Sequence, residues 1–237
     1  MIEADPLGLA VDYLLATRSA DERTASRLEQ QMAALDGEQL AASLSDDASR
    51  MAFWIDVYNA AVIRQAHYDF RTVLARQRFF RRPVVTVAGQ PLSLDAIEHG
   101  ILRRSRWKLG LGFVTNPLPS RFERAHRVHR VDARIHFALN CAATSCPPIA
   151  AYRVERVDEQ LEVAARSYLA AHVDQGVGSI TVPRILLWFI GDFGGPSGVR
   201  ALLRKHGLEG AAARLRFADY DWTPASSRWM ADDREEE

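Results

Sequence analysis

Residues 47–68 read DASRMAFWIDVYNAAVIRQAHY, and the fold class follows from this stretch. On a helical wheel Met51, Trp54, Ile55, Tyr58, Ala61 and Val62 share one face, while Phe53 and Val57 are apolar on the opposite side. A helix apolar nearly all round is central and buried, so the spacing predicts a core helix on which other elements pack. Toward the N-terminus, Leu7, Val11, Leu14 and Leu15 keep helical spacing, as do Leu28, Met32 and Leu35 after Asp21. They predict an N-terminal helical segment, residues 1–45, packed on a main domain, residues 46–229.

Toward the C-terminus, the β-branched run Val84-Val85-Thr86-Val87 predicts a strand, and Ala88-Gly89-Gln90-Pro91 a turn. Ser93 is a good N-cap for a helix over 94–104. Residues 109–130 read as a long irregular segment, with Gly110, Gly112, Pro117 and Pro119. Residues 134–140 read as a buried strand, and Cys141 to Pro148 as a turn. Leu161, Ala164, Ala165, Tyr168 and Leu169 mark another helix face. A short strand over 180–182, helices over 183–193 and 199–206, and a last strand over 215–217 complete the series. Helices outnumber scattered strands, so the class is α+β: a helix-rich single domain with a small β-sheet that includes the strand through His136. Residues 230–237 read as a frayed acidic tail.

The chain of 237 residues is 48% hydrophobic and 25% charged, ordinary globular proportions that need no metal or disulfide for folding. Thirty basic and thirty acidic residues cancel, which argues against nucleic-acid binding by bulk charge. No apolar run reaches the roughly 20 residues of a membrane span, so no membrane partner is expected. Met1 to Pro6 shows no basic stretch leading into an apolar one. With two cysteines and no visible export signal, the expectation is a cytoplasmic protein with free thiols. No cofactor is expected. The expected partner is a small-molecule or peptide ligand.

Three blocks carry a family resemblance. They are Ala52-Phe53-Trp54-Ile55-Asp56-Val57-Tyr58-Asn59-Ala60, the run from Leu92 to Arg103 (LSLDAIEHGILR), and the run from Asp132 to Pro148 (DARIHFALNCAATSCPP). With the closing Tyr220-Asp221-Trp222, they resemble the ordered motifs of the domain of unknown function 547 family. Asp56 stands where that pattern has Asn, Ala133 where it has Pro, and Thr223-Pro224 replaces Ser-Leu. The resemblance implies a fold and a set of candidate site residues, and its name carries no activity.

Several residues in these blocks could carry chemistry. Glu98 falls in the apolar arc of its predicted helix, with His99 and Arg103 further round on the exposed side. A carboxylate facing a core needs a partner. Glu98 is therefore either one half of an ion pair, with Arg134 as the candidate, or a general base or orienting group. Asn59 sits on the all-apolar helix, where it either caps a nearby loop or orients an imidazole. Strand alternation puts Arg134, His136, Ala138 and Asn140 on one polar side. Cys141 and Cys146 flank the turn that follows. Each is a nucleophile, a small buried hydrophobe, or half of a short-loop disulfide.

His126, His129, His136, Cys141 and Cys146 supply ligand types for zinc, but their spacing matches no standard motif and Arg124, Arg127 and Arg130 oppose a cation, so no metal is expected. Two functions are carried forward. One is a thiol-dependent hydrolase or acyl transferase, with Cys141 as nucleophile, His136 as base, Asn140, Glu98 or Asn59 orienting, and Cys146 and His99 in reserve. The other is a non-catalytic module that binds a peptide or acidic ligand through the arginine-rich segment 103–130, with Arg103 and Arg134 as ligand-binding candidates.

Overall fold

The structure is a computed structural model and describes residues 5–65, 70–208, 214–225 and 229–230. It is a helix-rich α+β protein. Helices α1 (Pro6–Arg18), α2 (Glu22–Ala33) and α3 (Gly37–Ser43) lead into α4 (Asp47–Arg64). Each begins where an aspartate side chain (Asp5, Asp21, Asp36 or Asp46) accepts from a first-turn amide. Every residue of α4 from Ser49 to Val62 is buried, as the apolar run predicts. α1, α7 (Val157–His172) and a π-helix (Ala96–Leu102) pack around it. The helix ends at Arg64, four residues short of the predicted end, and the expectation for 66–68 falls outside the described residues.

Three buried polar side chains of α4 reach backbone outside the helix. Arg50 donates to the carbonyls of Leu44 (2.9 Å) and Arg127 (2.6 Å). Asp56 accepts the Tyr152 amide at 2.9 Å. Asn59 donates to the Ala138 carbonyl and accepts the Asn140 amide, both at 3.0 Å. A buried polar group is tolerated when it is hydrogen-bonded, and here each of the three side chains also fixes backbone far away in sequence.

The predicted strand over 84–87 is β1 (Pro83–Val87) and pairs antiparallel with β2 (Gln90–Ser93). The basic run before it forms α5 (Val73–Arg81). A second sheet has the order β3-β4-β5 (Asp174–Gly176, Ser179–Val182, Arg214–Phe217), with β4 and β5 parallel. It packs with α7, α8 (Ile185–Trp188) and α9 (Gly195–Lys205) in a second apolar cluster around Phe137, Tyr168, Leu186 and Leu203. Helix α6 (Arg121–His126) interrupts the segment expected to be irregular.

The largest correction concerns residues 134–140. Neither sheet contains them. Ala133–Phe137 is a 3₁₀ helix, N-capped by Asp132, whose carboxylate accepts the Arg134 amide at 2.9 Å. Residues 135–140 are all buried, so apolar and polar side chains do not divide between two faces here. The helix that begins after Ser93 is also wound differently from expectation. Amides of Arg103 and Ser105 donate five residues back, to Glu98 and Gly100 (both 2.8 Å), the π pattern often found at functional sites.

After β5 the chain runs as a strap along the cysteine loop. Thr144 and Ser145 amides donate to the carbonyls of Thr223 (2.9 Å) and Asp221 (3.3 Å), and the Ala225 amide returns to Ala142 (2.9 Å). Of the tail expected to fray, residues 231–237 lie outside the described residues.

Candidate functional site

Three stretches supply the candidate groups. The π-helix brings Glu98, His99 and Arg103, the 3₁₀ helix brings His136, and the loop after it brings Asn140, Cys141 and Cys146. Asn140 closes that loop. Its Oδ1 accepts the Ala142 amide at 2.7 Å and its Nδ2 donates to the Pro147 carbonyl at 2.6 Å. Asn59 in turn holds the Asn140 amide. Asn59 and Asn140 are thus loop clamps, and Asn59 reaches no imidazole through these bonds. The tight loop sets the Cys141 and Cys146 Cα atoms 6.1 Å apart, within bridging range, and the structure joins them in a disulfide. This corrects the expectation of free thiols. That expectation rested on compartment, whereas the bridge follows from local geometry.

His99 and Arg103 were placed on an exposed face; both are buried. Phe189 and Asp192 cover them, from a segment expected to continue as helix but made of turns after Trp188. Arg103 Nε donates to Asp192 Oδ2 at 2.6 Å, and Arg103 Nη1 donates to His99 Nδ1 at 2.8 Å. The guanidinium lies 4.5 Å over the Phe189 ring. His136 stacks on the same ring, 3.7 Å away and 7° from parallel. Its Nε2 is 2.8 Å from Asp192 Oδ2. One carboxylate therefore takes Arg103 and His136 together.

The charge states follow. Burial, the largest influence, pushes Asp192 up, but the hydrogen bonds from His136 and Arg103 outweigh it and leave it below its ordinary value. Burial, the largest influence, lowers His136, and together with the Arg103 charge it outweighs the raising by Asp192 and Glu98. A neutral imidazole facing a carboxylate through Nε2 must carry its proton there, which leaves Nδ1 as the accepting nitrogen. His99 carries its proton on the same nitrogen, fixed from its other side. Arg103, always a donor, occupies its Nδ1, so its proton sits on Nε2, 3.5 Å from Asp95. Burial would raise Asp95 too, but His99 and Lys108, the latter at 2.7 Å, hold it low.

Because buried His136 resists protonation, the unfolded chain takes up a proton that the folded one excludes. Stability is then full above the ordinary imidazole value of 6.5 and is lost as pH falls through it. His126 and His206, also lowered chiefly by burial, act with the same sign. The urea midpoint is expected to drop between about pH 7 and about pH 5 and to drop less in His136→Phe. A flat wild-type profile over that range contradicts this.

Glu98 is buried, 3.6 Å from His99 Nδ1. It is not paired with Arg134, which faces Asp132 (2.6 Å), Asp158 (2.6 Å) and Glu162 (3.4 Å) away from the cluster. Glu98 lies close enough to the hydroxyls of Tyr58 and Tyr220 that, after burial itself, its charge helps hold both far above the usual phenol range. Tyr220 lies in the C-terminal strap, its hydroxyl 3.3 Å from Cys141 Sγ and 3.1 Å from Cys146 Sγ. The sulfurs thus meet Tyr220 rather than His136. Sequence reasoning missed Asp192, Phe189, Tyr58 and Tyr220 as site residues. The one available signal was Asp192 itself, an acid inside the apolar run from Ile185 to Phe193.

The zinc candidates do not gather. His126 packs against Phe122 and Trp54, and His129 sits at the surface beside Asp47. Among the described residues no three His, Cys, Asp or Glu side chains are grouped to hold a metal. A cleft of about 830 Å³ lies elsewhere, lined by Asp12, Arg18, Arg27, Arg153 and Glu159 among others, and includes none of the cluster.

A family model described as "Protein of unknown function, DUF547" matches residues 41–169, more than half of the chain. No curated protein and no solved structure matches.

Proposed function

Because the chain belongs to the DUF547 family, whose match takes in both cysteines, His99, His136 and Asn140, we propose that it is a thiol-dependent hydrolase or acyl transferase. Cys141 of the reduced protein is the nucleophile and His136 the base. The observation that carries this reading is the Tyr220 hydroxyl, within hydrogen-bonding distance of both sulfurs. A phenol kept protonated by burial and by nearby Glu98 is a donor, and a donor beside a sulfur favours the thiolate. The buried array of Glu98, His99, Arg103, His136 and Asp192 supports the same reading. So many ionisable groups held from water add little to folding and are characteristic of functional sites.

The chemistry begins when a thiol reductant donates two electrons to the Cys141–Cys146 bridge. Cys141 is the more exposed of the two residues, at 9% against 1%. In this reading His136 Nδ1 is the base for the thiol proton, which passes through an intervening hydroxyl or water because the sulfurs contact Tyr220 and not His136, while Asp192 holds the His136 Nε2–H and stabilises the imidazolium. The thiolate adds to a substrate carbonyl carbon, and the leaving group departs with the imidazolium proton. Water or a second acceptor then attacks the thioester carbon, takes the acyl group and releases the Cys141 thiolate. Alkylation of the reduced protein tests this. Cys141 should react with iodoacetamide about tenfold faster than a model thiol at neutral pH, and His136→Ala should remove the excess. Two thiols inert until the protein unfolds would overturn the proposal, as would equal rates in His136→Ala.

A further inference from the structure

Residues 105–116 form a flap beside the buried cluster. Its limbs are joined by the Trp107 amide on the Val114 carbonyl (2.8 Å) and the Asn116 amide on the Ser105 carbonyl (2.7 Å). Its turn rests on the 189–192 segment, where the Gly191 amide donates to the Leu111 carbonyl at 2.7 Å. The approach is so close that a Cβ on Gly112 would stand 2.5 Å from Asp192 Oδ1. The backbone is therefore held inward and the large side chains point out. Trp107 is 57% exposed, Leu109 73%, Phe113 62% and, just beyond, Leu118 85%. Four large apolar side chains within twelve residues of sequence thus face water, and clustered exposed apolar groups mark interaction sites.

Two further features narrow the kind of partner. No Asp or Glu occurs from residue 99 to 122, while Arg104, Arg106, Lys108 and Arg121 do. Arg104, Arg121 and Arg124 are exposed, and Arg127 ties the end of α6 to the flap base through Ser105 Oγ at 2.8 Å. The sequence flanking the apolar groups is therefore rich in cations, of which Arg121 also faces Glu38 at 3.5 Å and Lys108 faces Asp95. Large apolar side chains more than half exposed, with cations beside them in the chain, match a headgroup region that buries apolar groups and pairs phosphates with Arg.

We propose that the 105–118 flap and its basic border dock the protein on an anionic lipid surface. Trp107, Leu109, Phe113 and Leu118 enter the headgroup region, and Arg104, Arg121 and Arg124 meet the phosphates. The expectation of no membrane partner came from the lack of a spanning segment. Indeed no helix among the described residues is long and apolar enough to cross a membrane, but surface docking requires none. The proposal is independent of the thiol chemistry.

Sedimentation of the full chain with phosphatidylcholine vesicles, with and without phosphatidylserine, tests it. Binding should be roughly tenfold or more stronger to the phosphatidylserine vesicles and should weaken with salt. Leu109→Ser/Phe113→Ser, at exposed positions, should lose binding while thermal unfolding stays unchanged. Arg104→Glu/Arg124→Glu should lose the preference for the anionic lipid. Absence of binding, equal binding to both vesicles, or undiminished binding by Leu109→Ser/Phe113→Ser overturns the proposal. So does a wild-type dimer that this variant abolishes in the absence of any lipid binding, since the patch then serves a second copy of the chain.

Discussion

Asp192→Ala is expected to destabilise the protein by about 3–5 kcal/mol, because it leaves the buried Arg103 guanidinium without its carboxylate. Arg103 and Asp192 side chains are both fully excluded from solvent, and Asp192 also holds His136. The cost comes mostly from the stranded charge and less from a lost attraction. A double replacement, Arg103→Met with Asp192→Leu, should therefore cost less than Asp192→Ala alone, since it removes both charges and fills the space. Urea unfolding of the single and double variants measures the difference. A single-variant loss below about 1 kcal/mol would show that water reaches Arg103 readily, contrary to its burial.

The second large effect belongs to Asn59→Ala. Its amide satisfies the Ala138 carbonyl and the Asn140 amide, two buried backbone groups with one side chain. Losing both partners should cost about 2–6 kcal/mol, since each of the two stranded groups costs about 1–3 kcal/mol. The loss should also be local first. Hydrogen exchange at the Asn140 amide should accelerate more than exchange within α1, and the Cys141–Cys146 bridge should open to reductant sooner. Uniform acceleration across the protein would mean that Asn59 stabilises the core generally and does not clamp the loop.

The elements read correctly from sequence are those whose signal is local. The core helix 47–64 shows itself by composition, and strands over 84–87 and 180–182 show themselves by β-branched runs. The reading of 134–140 failed because alternation implies two environments, and these residues have one. Asp132 three residues upstream of Ile135 was the cap signal that alternation hid. The site was half legible. Glu98, His99, Asn59, His136 and the cysteines lie in blocks with chemistry-bearing residues, and all are buried. Their partners were not legible, because Arg103 meets Asp192 across 89 residues and Cys141 meets Tyr220 across 79. Nothing local in a chain marks such pairings. The arginine-rich segment was legible as charge. Its apolar flap was not, since only three dimensions tell an outward Leu from a core one.

The strap that carries Tyr220 has a consequence for the order of biosynthesis. Synthesis runs from the N-terminus, and early regions fold first. The helical core and the cysteine loop are thus translated before the residues that cover the loop from Asp221 to Ala225. For that interval the nascent chain holds its two sulfurs without their phenol and without the backbone that shields them. A ribosome stalled between Phe217 and Tyr220 would display a folded core with an uncovered thiol pair, open to oxidants and to alkylating agents. The window closes only once the strap itself has been made and laid over the loop.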